Sequence, residues 1–412
     1  MQFDVFFSIC QTDVDGYMPS EAVMFRNFFD QVRLADELGY GTAWVAETHL
    51  SCEVQKENRA PVIPQFKGEI GLNTDILQLA HKVFGITKRI HVGSAIRNIL
   101  CNGGPIAHAE AVRTFMTYHG LDPAEKRELH LGFAAGRFPF SNAPYGILPR
   151  SALERAAWPV VRNKLFQEAT EIFLRFLKGE VFSSEDVTAK VLRRADFRAD
   201  EDWAKVQAAH GSGMGASMAE IPVPPFWTFE KVGVIPREAP MERLKLVLGT
   251  HDAQTQIQAN RILPCGVFNL SITPAHEIEA THQRMQAAFH PAGGKWTRAH
   301  MPRTVLVFIN DDPGVSEAEQ NARALNEAQR AIENYWRAME GTLDPARVKS
   351  AVGNALAGNP RTIIEQMRAR FNPGDRVMLW FDFNNHDNAQ ILHRMRVFQE
   401  QIAAEVSVRG QA

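Results

Sequence analysis

Short apolar strands alternate with amphipathic helices along nearly the whole of this 412-residue chain, and this alternation restricts the fold more than any other feature. Each strand is a continuous apolar run, which is typical of parallel strands covered by helices on both faces. Eight strand–helix units predict an α/β fold of the (β/α)8 TIM-barrel type, with a doubly wound open sheet as the alternative. The predicted strands are Phe3–Ile9, Thr42–Ala46, Ile90–Ile96, Leu129–Ala135, Leu244–Gly249, Gly266–Leu270, Thr304–Ile309 and Arg376–Phe381.

Two polar stretches interrupt the alternation, at about residues 52–73 after the second strand and about residues 181–240 before the fifth. We therefore expect a single domain over residues 1–412 that carries two insertions. The first insertion leaves the carboxyl end of a strand, where barrels of this type place their chemistry, and this favours an active-site role for it. The second contains a charged part, Glu185–His210, that the pattern predicts to be helical, and it suits a lid or a peripheral contact equally well.

Composition excludes several classes of partner. A net charge of −2 provides no electrostatic reason to expect nucleic acid or an anionic membrane, and no apolar run approaches the roughly 18 residues of a membrane span. The chain begins with a strand pattern, which does not resemble a signal peptide. Four dispersed cysteines without a CxxC pair favour a reducing cytoplasm and predict no metal site.

The segment Thr42–His49 is the strongest indication of chemistry. An apolar strand follows a helix that stops at Gly39, and the strand ends abruptly in Glu47, Thr48 and His49. Histidine is suited to proton transfer near neutral pH, whereas a buried glutamate either transfers protons or organises a hydrogen-bond network. The catalytic candidates are Glu47, Thr48 and His49, with a structural role as the alternative for each.

Several segments, in order, resemble the bacterial luciferase-like flavin-dependent monooxygenases. Ala35–Trp44 is similar to the family's first helix and second strand, and Glu47–His49 takes the place of its Glu-His-His. Thr48 departs from that motif, because it replaces the first histidine. The other similar segments are Ile90–Ile96 with Pro105–Glu110, Leu129–Arg137, Leu246–Asp252, Gly353–Pro360 and Val377–Asp382.

The resemblance implies a two-component enzyme. In such enzymes FMN, reduced by a separate NAD(P)H:flavin reductase, reacts with O2 through a C4a-peroxyflavin to oxygenate a small organic substrate. It also implies a cis peptide bond at Ala95–Ile96 and a homodimer, for which we consider Phe25–Leu38 and Leu77–Val83 as the interface. Two alternatives remain: a deazaflavin (F420)-dependent oxidoreductase, and a non-catalytic flavin-binding relative, which the loss of the first histidine would permit.

Cofactor-binding residues are expected where the strands end. The turn Gly249–Asp252 opens a helix, and the N–H groups of a helix N-terminus suit a phosphate, although His251 replaces the serine that is usual there. Arg137 suits a phosphate or an anionic substrate. The cofactor-binding candidates are Ala95, Ile96, Asn98, Arg137, Thr250 and His251.

The substrate itself is not determined by the sequence. Asp382–His386 follow the eighth strand, where they either line the substrate or cap a turn. Hydroxylation, Baeyer–Villiger insertion, N-oxidation and desulfonation all remain open as reaction types. A mainly hydrophobic or aromatic substrate is favoured by the apolar residues available, which are Phe6, Phe7, Phe138, Phe140, Trp227 and Trp380.

Overall fold

A nine-stranded, entirely parallel sheet forms the centre of the computed structural model, which describes residues 1–211, 218–339 and 351–407. Eight of its strands lie within a few residues of the predicted positions. The chain's strands are β1 (Gln2–Phe7), β2 (Thr42–Val45), β3 (His91–Asn98), β4 (Leu129–Ala134), β5 (Lys190–Arg193), β6 (Glu220–Val223), β7 (Leu244–Leu248), β8 (Cys265–Val267), β9 (Arg303–Ile309), β10 (Leu356–Gly358) and β11 (Arg376–Trp380).

The strand order in this sheet is β10–β9–β11–β1–β2–β3–β4–β7–β8, and the sheet curls. Asn269, just beyond β8, forms a parallel bridge with Arg303 at the start of β9. Two backbone hydrogen bonds hold this bridge, from the Asn269 N–H to the Pro302 carbonyl at 2.8 Å and from the Thr304 N–H to the Asn269 carbonyl at 3.0 Å. One edge of the sheet therefore meets the strand next to its other edge.

Helices cover the outer face of the sheet. The first, Glu21–Leu38, begins at Ser20, whose hydroxyl accepts a hydrogen bond from the Val23 N–H, and it ends at Gly39 with φ 82°, the left-handed conformation that glycine favours. No helix among the described residues is long and apolar enough to cross a membrane. The helices are α1 (Glu21–Leu38), α2 (Ile76–Ile86), α3 (Gly104–Gly120), α4 (Pro139–Asn142), α5 (Ala152–Ala156), α6 (Trp158–Lys178), α7 (Asp200–Ala209), α8 (Ala253–Asn260), α9 (Ala275–Ala288), α10 (Glu317–Ala338), α11 (Pro360–Arg370), α12 (Asn388–Val397) and α13 (Ala404–Ser407).

The space enclosed by the curled sheet is filled by side chains. Trp44 is fully buried there, and its indole N–H donates to Asp4 at 2.7 Å. Arg376 donates to the same carboxylate oxygen at 2.6 Å. Gly93 makes room for the indole, because a Cβ at this position would lie 2.5 Å from the Trp44 ring. Packing and ionic contacts thus fill the interior near the amino-terminal end of the sheet, whereas barrels of this type place their chemistry at the carboxyl ends of the strands.

The segment between α6 and β7 folds into a small unit of its own. Its strands β5 and β6 form an antiparallel pair, and α7 packs beside α5 with Trp203 and Val206 buried. The sequence predicts helix throughout Glu185–His210. This prediction is wrong for the first half, where β5 pairs with β6, and residues 212–217 lie outside the described part of the chain.

Candidate active site

A cavity of about 620 Å³ opens at the carboxyl ends of the strands. This volume is in the range of about 300–1,000 Å³ that small-molecule sites occupy. Residues beyond β1, β2, β3, β4, β7, β8 and β11 all contribute to its wall, because the carboxyl ends of neighbouring parallel strands meet at one face of the sheet. Of the candidates named from the sequence, the wall contains Glu47, Thr48, His49, Ala95, Ile96, Asn98, Arg137 and Thr250.

Glu47 is held firmly at the start of α2. Its Oε2 atom accepts hydrogen bonds from the Ile76 N–H at 2.9 Å and the Thr74 hydroxyl at 3.1 Å, so the carboxylate satisfies a helix N-terminus, where negative charge is favourable. Its Oε1 atom lies 3.2 Å from Nε2 of His49. Burial acts to raise the pKa of Glu47, but His49, the charge of Arg97 and the Ile76 N–H together hold it below its ordinary value. Glu47 is therefore an anion in the wall.

His49 is buried, and each of its ring nitrogens lies close to a polar neighbour. Its Nδ1 atom lies 3.3 Å from the amide nitrogen of Asn102, which can only donate, so Nδ1 accepts and the ring proton is placed on Nε2, toward Glu47. The carbonyl of His49 also accepts a hydrogen bond from the Ser141 hydroxyl at 2.9 Å. The ring thus has a fixed tautomer and orientation, as a positioned donor requires.

A second buried pair lies behind Glu47. Nε of Arg97 donates to Nδ1 of His108 at 2.8 Å, and Nε2 of His108 lies 3.0 Å from the carbonyl of Cys101. Burial, together with the charge of Arg97, lowers the pKa of His108 to about 3. His108 therefore remains neutral and fixes Arg97, whose charge keeps Glu47 ionised.

Thr48 and Asn98 are also engaged in local contacts. The Thr48 N–H donates to the carbonyl of Leu72 at 3.2 Å, and its hydroxyl lies against Gly71, where a Cβ would approach Oγ1 to 2.9 Å. The Asn98 side chain accepts from the Leu100 N–H at 3.0 Å and donates to Asn142 at 2.7 Å. Asn98 therefore stabilises the turn after β3 while it lines the cavity.

Two features on β3 and β4 shape the middle of the cavity. The peptide bond Ala95–Ile96 is cis, as predicted. Beyond β4, Gly136 has φ 69° and lies so close to Asn98 that a Cβ would meet its amide nitrogen at 2.2 Å. The next residue, Arg137, lines the cavity, and its guanidinium lies 5.2 Å from the ring centre of Phe138.

Arg162 is a wall residue that the sequence analysis missed. It lies in the second turn of α6, a helix that begins without a side-chain cap, and it donates to the carbonyls of Gly136 and Ala135. Within the described part of the chain no carboxylate pairs with it, and burial lowers the pKa of its guanidinium. Arginine near a helix N-terminus opposes the helix dipole. This unfavourable placement was the sequence feature that could have identified Arg162, because such local conflicts concentrate at functional sites.

The turn after β7 places its two candidates differently. Thr250 lines the cavity, whereas His251 is exposed and lies outside the lining. The N-terminus of α8 is occupied by its own residue Asp252, which accepts from the Thr255 N–H at 2.8 Å. A phosphate at this helix end would face that carboxylate, so the helix dipole argument made from the sequence does not apply here.

Aromatic residues form much of the remaining wall. Phe6, Phe268, Trp380 and Phe383 all line the cavity, and the rings of Phe6 and Trp380 lie 4.5 Å apart. Phe7 does not contribute, because alternate residues of a strand face opposite sides; it packs against Phe28 of α1. Trp227 also lies elsewhere, against Gly104. The cavity is thus apolar on the β1, β8 and β11 side and cationic near β4 and α6.

A separate cluster of His91, Glu128 and His130 lies at the opposite end of the sheet, with ligand-type atoms within 4.8 Å of one another. The lone pair of His91 Nδ1 already accepts from the Glu128 N–H at 2.7 Å, and His130 Nδ1 faces Arg376 at 3.4 Å. The Glu128 carboxylate contacts His130 Nε2 at 3.0 Å and Lys245 at 3.2 Å. These contacts tie the cluster to the cationic side chains of Arg376 and Lys245.

A parallel sheet covered by helices, with a cavity at the carboxyl ends of its strands, is the arrangement typical of α/β enzymes. Residues 1–190 match the model of the luciferase-like monooxygenase family, and the predicted family resemblance is thereby confirmed. A curated relative, the uncharacterized protein y4vJ of Sinorhizobium fredii (strain NBRC 101917 / NGR234), is 25% identical over 183 residues. This alignment covers 44% of the present chain and only 42% of the relative.

Solved structures share the fold at low sequence identity. The monooxygenase RslO1 from Streptomyces bottropensis superposes with a TM-score of 0.65 at 16% identity, covering 98% of this chain and 99% of its own. The oxygenating constituent of 3,6-diketocamphane monooxygenase from the CAM plasmid of Pseudomonas putida, a type II Baeyer–Villiger monooxygenase in complex with FMN, gives 0.59 at 14% identity, covering 98% and 99%. An F420-dependent secondary alcohol dehydrogenase in complex with an F420-acetone adduct gives 0.57 at 13% identity, covering 98% of each chain.

Proposed function

We propose that this protein is an FMN-dependent monooxygenase that uses reduced FMN and O2 to oxygenate a small, mainly hydrophobic organic substrate. The observation that carries the proposal is the cavity of about 620 Å³, which joins an aromatic wall to a cationic one. An isoalloxazine ring requires the aromatic wall, and a phosphate requires the cationic one. The family match over residues 1–190 supports the same reading.

The lining fits a flat ring system. Gly249 allows the β7 backbone to approach Ile96, because a Cβ there would lie 2.6 Å from Ile96 Cδ1 and 3.0 Å from the Ala134 Cβ. The ring would rest between the Ala95–Ile96 peptide and the aromatic residues Phe6 and Trp380. Backbone and small side chains at these positions leave the width that a ring needs.

Arg162 and Thr250 are the residues that we expect to hold the phosphate. Arg162 is already oriented by two carbonyls and has no carboxylate beside it in the described structure, so an anion would satisfy its charge. The Thr250 hydroxyl accepts from the Asp252 N–H at 3.2 Å, which leaves its own proton to donate. Arg137 could reach either the phosphate or an anionic substrate. His251 remains a prediction as a cofactor-binding residue.

Bound reduced FMN would supply the activation of O2, and the residues of this chain would position and protect the reactants. The Glu47–His49 pair presents a fixed imidazole at the cavity wall. Ile70, from the stretch at about residues 52–73, lines the same cavity, so this stretch helps to exclude water from the site. Reduced FMN would come from a separate reductase. All four cysteines are free thiols, and we infer a cytoplasmic location.

We also infer that the curled sheet is a (β/α)8 barrel with insertions at about residues 52–73 and 181–240. The bridge between Asn269 and Arg303 supports closure, since it joins β8 to β9. The eight strands from β9 through β11, β1 and onward to β8 then form the ring. On this reading β10 is an additional strand outside the ring.

One observation favours a second candidate, a deazaflavin-dependent hydride transfer. The cavity shares Asn384 with a neighbouring polar groove of about 720 Å³ lined by Arg323, Arg330 and Asn334 of α10. Such a groove has room for the longer, charged tail of a deazaflavin cofactor. A binding-only flavoprotein is the third candidate, since Thr48 replaces a histidine.

Comparative binding tests the proposal. If Arg162 holds the phosphate, Arg162→Ala should weaken FMN at least tenfold and riboflavin hardly at all, because a charge-assisted hydrogen bond contributes about 1.5–3 kcal/mol. Titration of flavin fluorescence measures both ligands. Arg155→Ala, an exposed arginine on the neighbouring helix α5, is the matched control. Equal losses for FMN and riboflavin would contradict the phosphate assignment, and preference for the deazaflavin over FMN would favour the second candidate.

A further inference from the structure

Ser8 separates a buried carboxylate from the cavity. Ser8 follows β1 and lines the cavity, while Asp382 follows β11 on the neighbouring strand. The Ser8 hydroxyl donates to Oδ2 of Asp382 at 2.9 Å, and the Ser8 N–H donates to the same oxygen at 3.0 Å. A hydroxyl in this position touches both a carboxylate and whatever occupies the cavity.

The second oxygen of Asp382 is less constrained than the first. Oδ1 is buried without a hydrogen-bond partner of normal geometry in the described structure. Asp382, Asn385 and His386 also contribute to a separate small cavity of about 30 Å³, whose other lining residues are largely apolar. This is room for about one water molecule beside Asp382.

No cation compensates the charge of Asp382 among the described residues. Burial raises the pKa of Asp382 to about 6, although the hydrogen bonds from Ser8 and the Trp380 side chain oppose this effect. Cys10 faces the carboxylate from the end of β1, and burial raises the pKa of its thiol to about 11. His386 faces it from the loop after β11, and α1 contributes only the neutral Asn27 and Gln31. A turn would be capped equally well by asparagine, without the cost of burying an ionisable group.

We propose that Ser8 and Asp382 form a proton-transfer pair in the cavity wall, in which Ser8 contacts the bound reactant and Asp382 acts through the Ser8 hydroxyl. This proposal deepens the proposed function and rests on it, because oxygenation at a flavin site requires protons to move. The pair follows β1 and β11, next to the strand β2 that leads to Glu47 and His49, and it offers a proton acceptor where Thr48 cannot serve.

The transfer is balanced in protons. The bound reactant gives one proton to Oγ of Ser8 while the original Ser8 proton passes to Oδ2 of Asp382, so the hydroxyl is restored and the carboxylate becomes a carboxylic acid. No electrons move between protein groups. Loss of the Asp382 proton toward the small cavity returns the pair to its starting state. Asp382 is therefore a positioned proton acceptor, and Ser8 is the residue that contacts the bound reactant.

The test follows the pH profile of flavin reoxidation. Full-length protein loaded with reduced FMN is mixed with O2 from about pH 5 to pH 9, and the rate of return to oxidised FMN is measured. The unmodified protein should slow as the pH falls through about 6, where Asp382 takes up its proton. Asp382→Asn should lose this inflection and react roughly 10²-fold more slowly above it, at the low end of the range for general acid–base catalysis.

Three further variants isolate the pair. Ser8→Ala should lower the rate as Asp382→Asn does, and Ser8→Thr, which keeps a hydroxyl, should restore both rate and inflection. His386→Gln should retain the inflection, which excludes that neighbour as its source. Asp311→Asn is the matched control, because Asp311 also follows a strand of the sheet but pairs with exposed His393 outside the cavity.

A measurement without flavin separates this proposal from the proposed function. The infrared band of the protonated carboxyl should titrate near pH 6, vanish in Asp382→Asn, and move to higher pH in Ser8→Ala, because two oxygen contacts are then reduced to one. If Asp382→Asn keeps the full rate and inflection, the pair is refuted while the proposed function stands. If neither the unmodified protein nor any variant binds FMN or reacts with O2, the proposed function fails. Independently, an infrared titration of Asp382 that is unchanged in Ser8→Ala refutes the pair.

Discussion

His49 is the clearest case in which a single residue was located correctly by sequence while its surroundings were not. The end of an apolar strand places its side chain at the cavity, and that much follows from the pattern of residues 42–49. Its partners Asn102, in the loop after β3, and Ser141, in α4, come from later in the chain, and no local pattern connects them to His49. Arg162 shows the converse, since its significance depends on the absence of a carboxylate neighbour among the described residues of the folded chain.

Replacing His49 tests whether the fixed imidazole takes part in chemistry. His49→Ala should lower product formation by roughly 10²–10⁴-fold, while FMN affinity changes little because the expected phosphate contacts lie on α6 and beyond β7. His49→Gln, which keeps a donor and an acceptor for Glu47 and Asn102, should recover the thermal stability but not the rate. Steady-state turnover alongside flavin titration measures both, and full turnover in either variant would assign His49 a structural role.

At the level of elements, the predicted strands were right because continuous apolar runs of four to eight residues form a strong signal. The prediction failed where contacts between distant segments of the chain determine the secondary structure. The stretch Glu185–His210 contains good helix formers, yet β5 within it pairs with β6 about 30 residues later in the chain. Phe6 and Phe7 are both aromatic, but only one of them can line the cavity, because successive side chains of a strand point to opposite faces.

Gly93 provides a prediction about the packing inside the sheet. Gly93→Ala should destabilise the protein by about 1–3 kcal/mol, the usual cost of overpacking, because the new Cβ would lie 2.5 Å from the fully buried indole of Trp44. Gly85→Ala on α2 is the control, since nothing lies within 4 Å of that position and helix propensity favours alanine. Denaturant unfolding of both variants measures the difference, and an unchanged Gly93→Ala protein would show that the indole can shift.

For the whole molecule, the order of segments along the chain was sufficient to indicate the family, whereas oligomeric state depends on surfaces that sequence alone does not reveal. Leu77 and Val83, considered for a dimer interface, are buried in the chain's own core. Phe25 and Phe29 on α1 remain partly buried at its edge. The apolar content of α1 and α2 is thus largely used within one chain.

We still predict a homodimer, which the family resemblance implies, with α1 at its centre. Light scattering at micromolar concentration should give twice the chain mass of 46.2 kDa. Phe29→Glu should shift the mass toward one chain if α1 lies in the interface, while Tyr118→Glu, at an exposed position on α3, serves as the control. A single-chain mass for the unmodified protein would contradict the prediction.

Rapid mixing of the protein–reduced FMN complex with O2 tests the central claim most directly. We predict a transient flavin species whose absorbance differs from both reduced and oxidised FMN, because a largely apolar cavity protects such a species from water. Its lifetime should shorten when the cavity wall is opened by Trp380→Ala. Reoxidation in one phase at the rate of free reduced FMN, with no species between the two forms, would contradict the account.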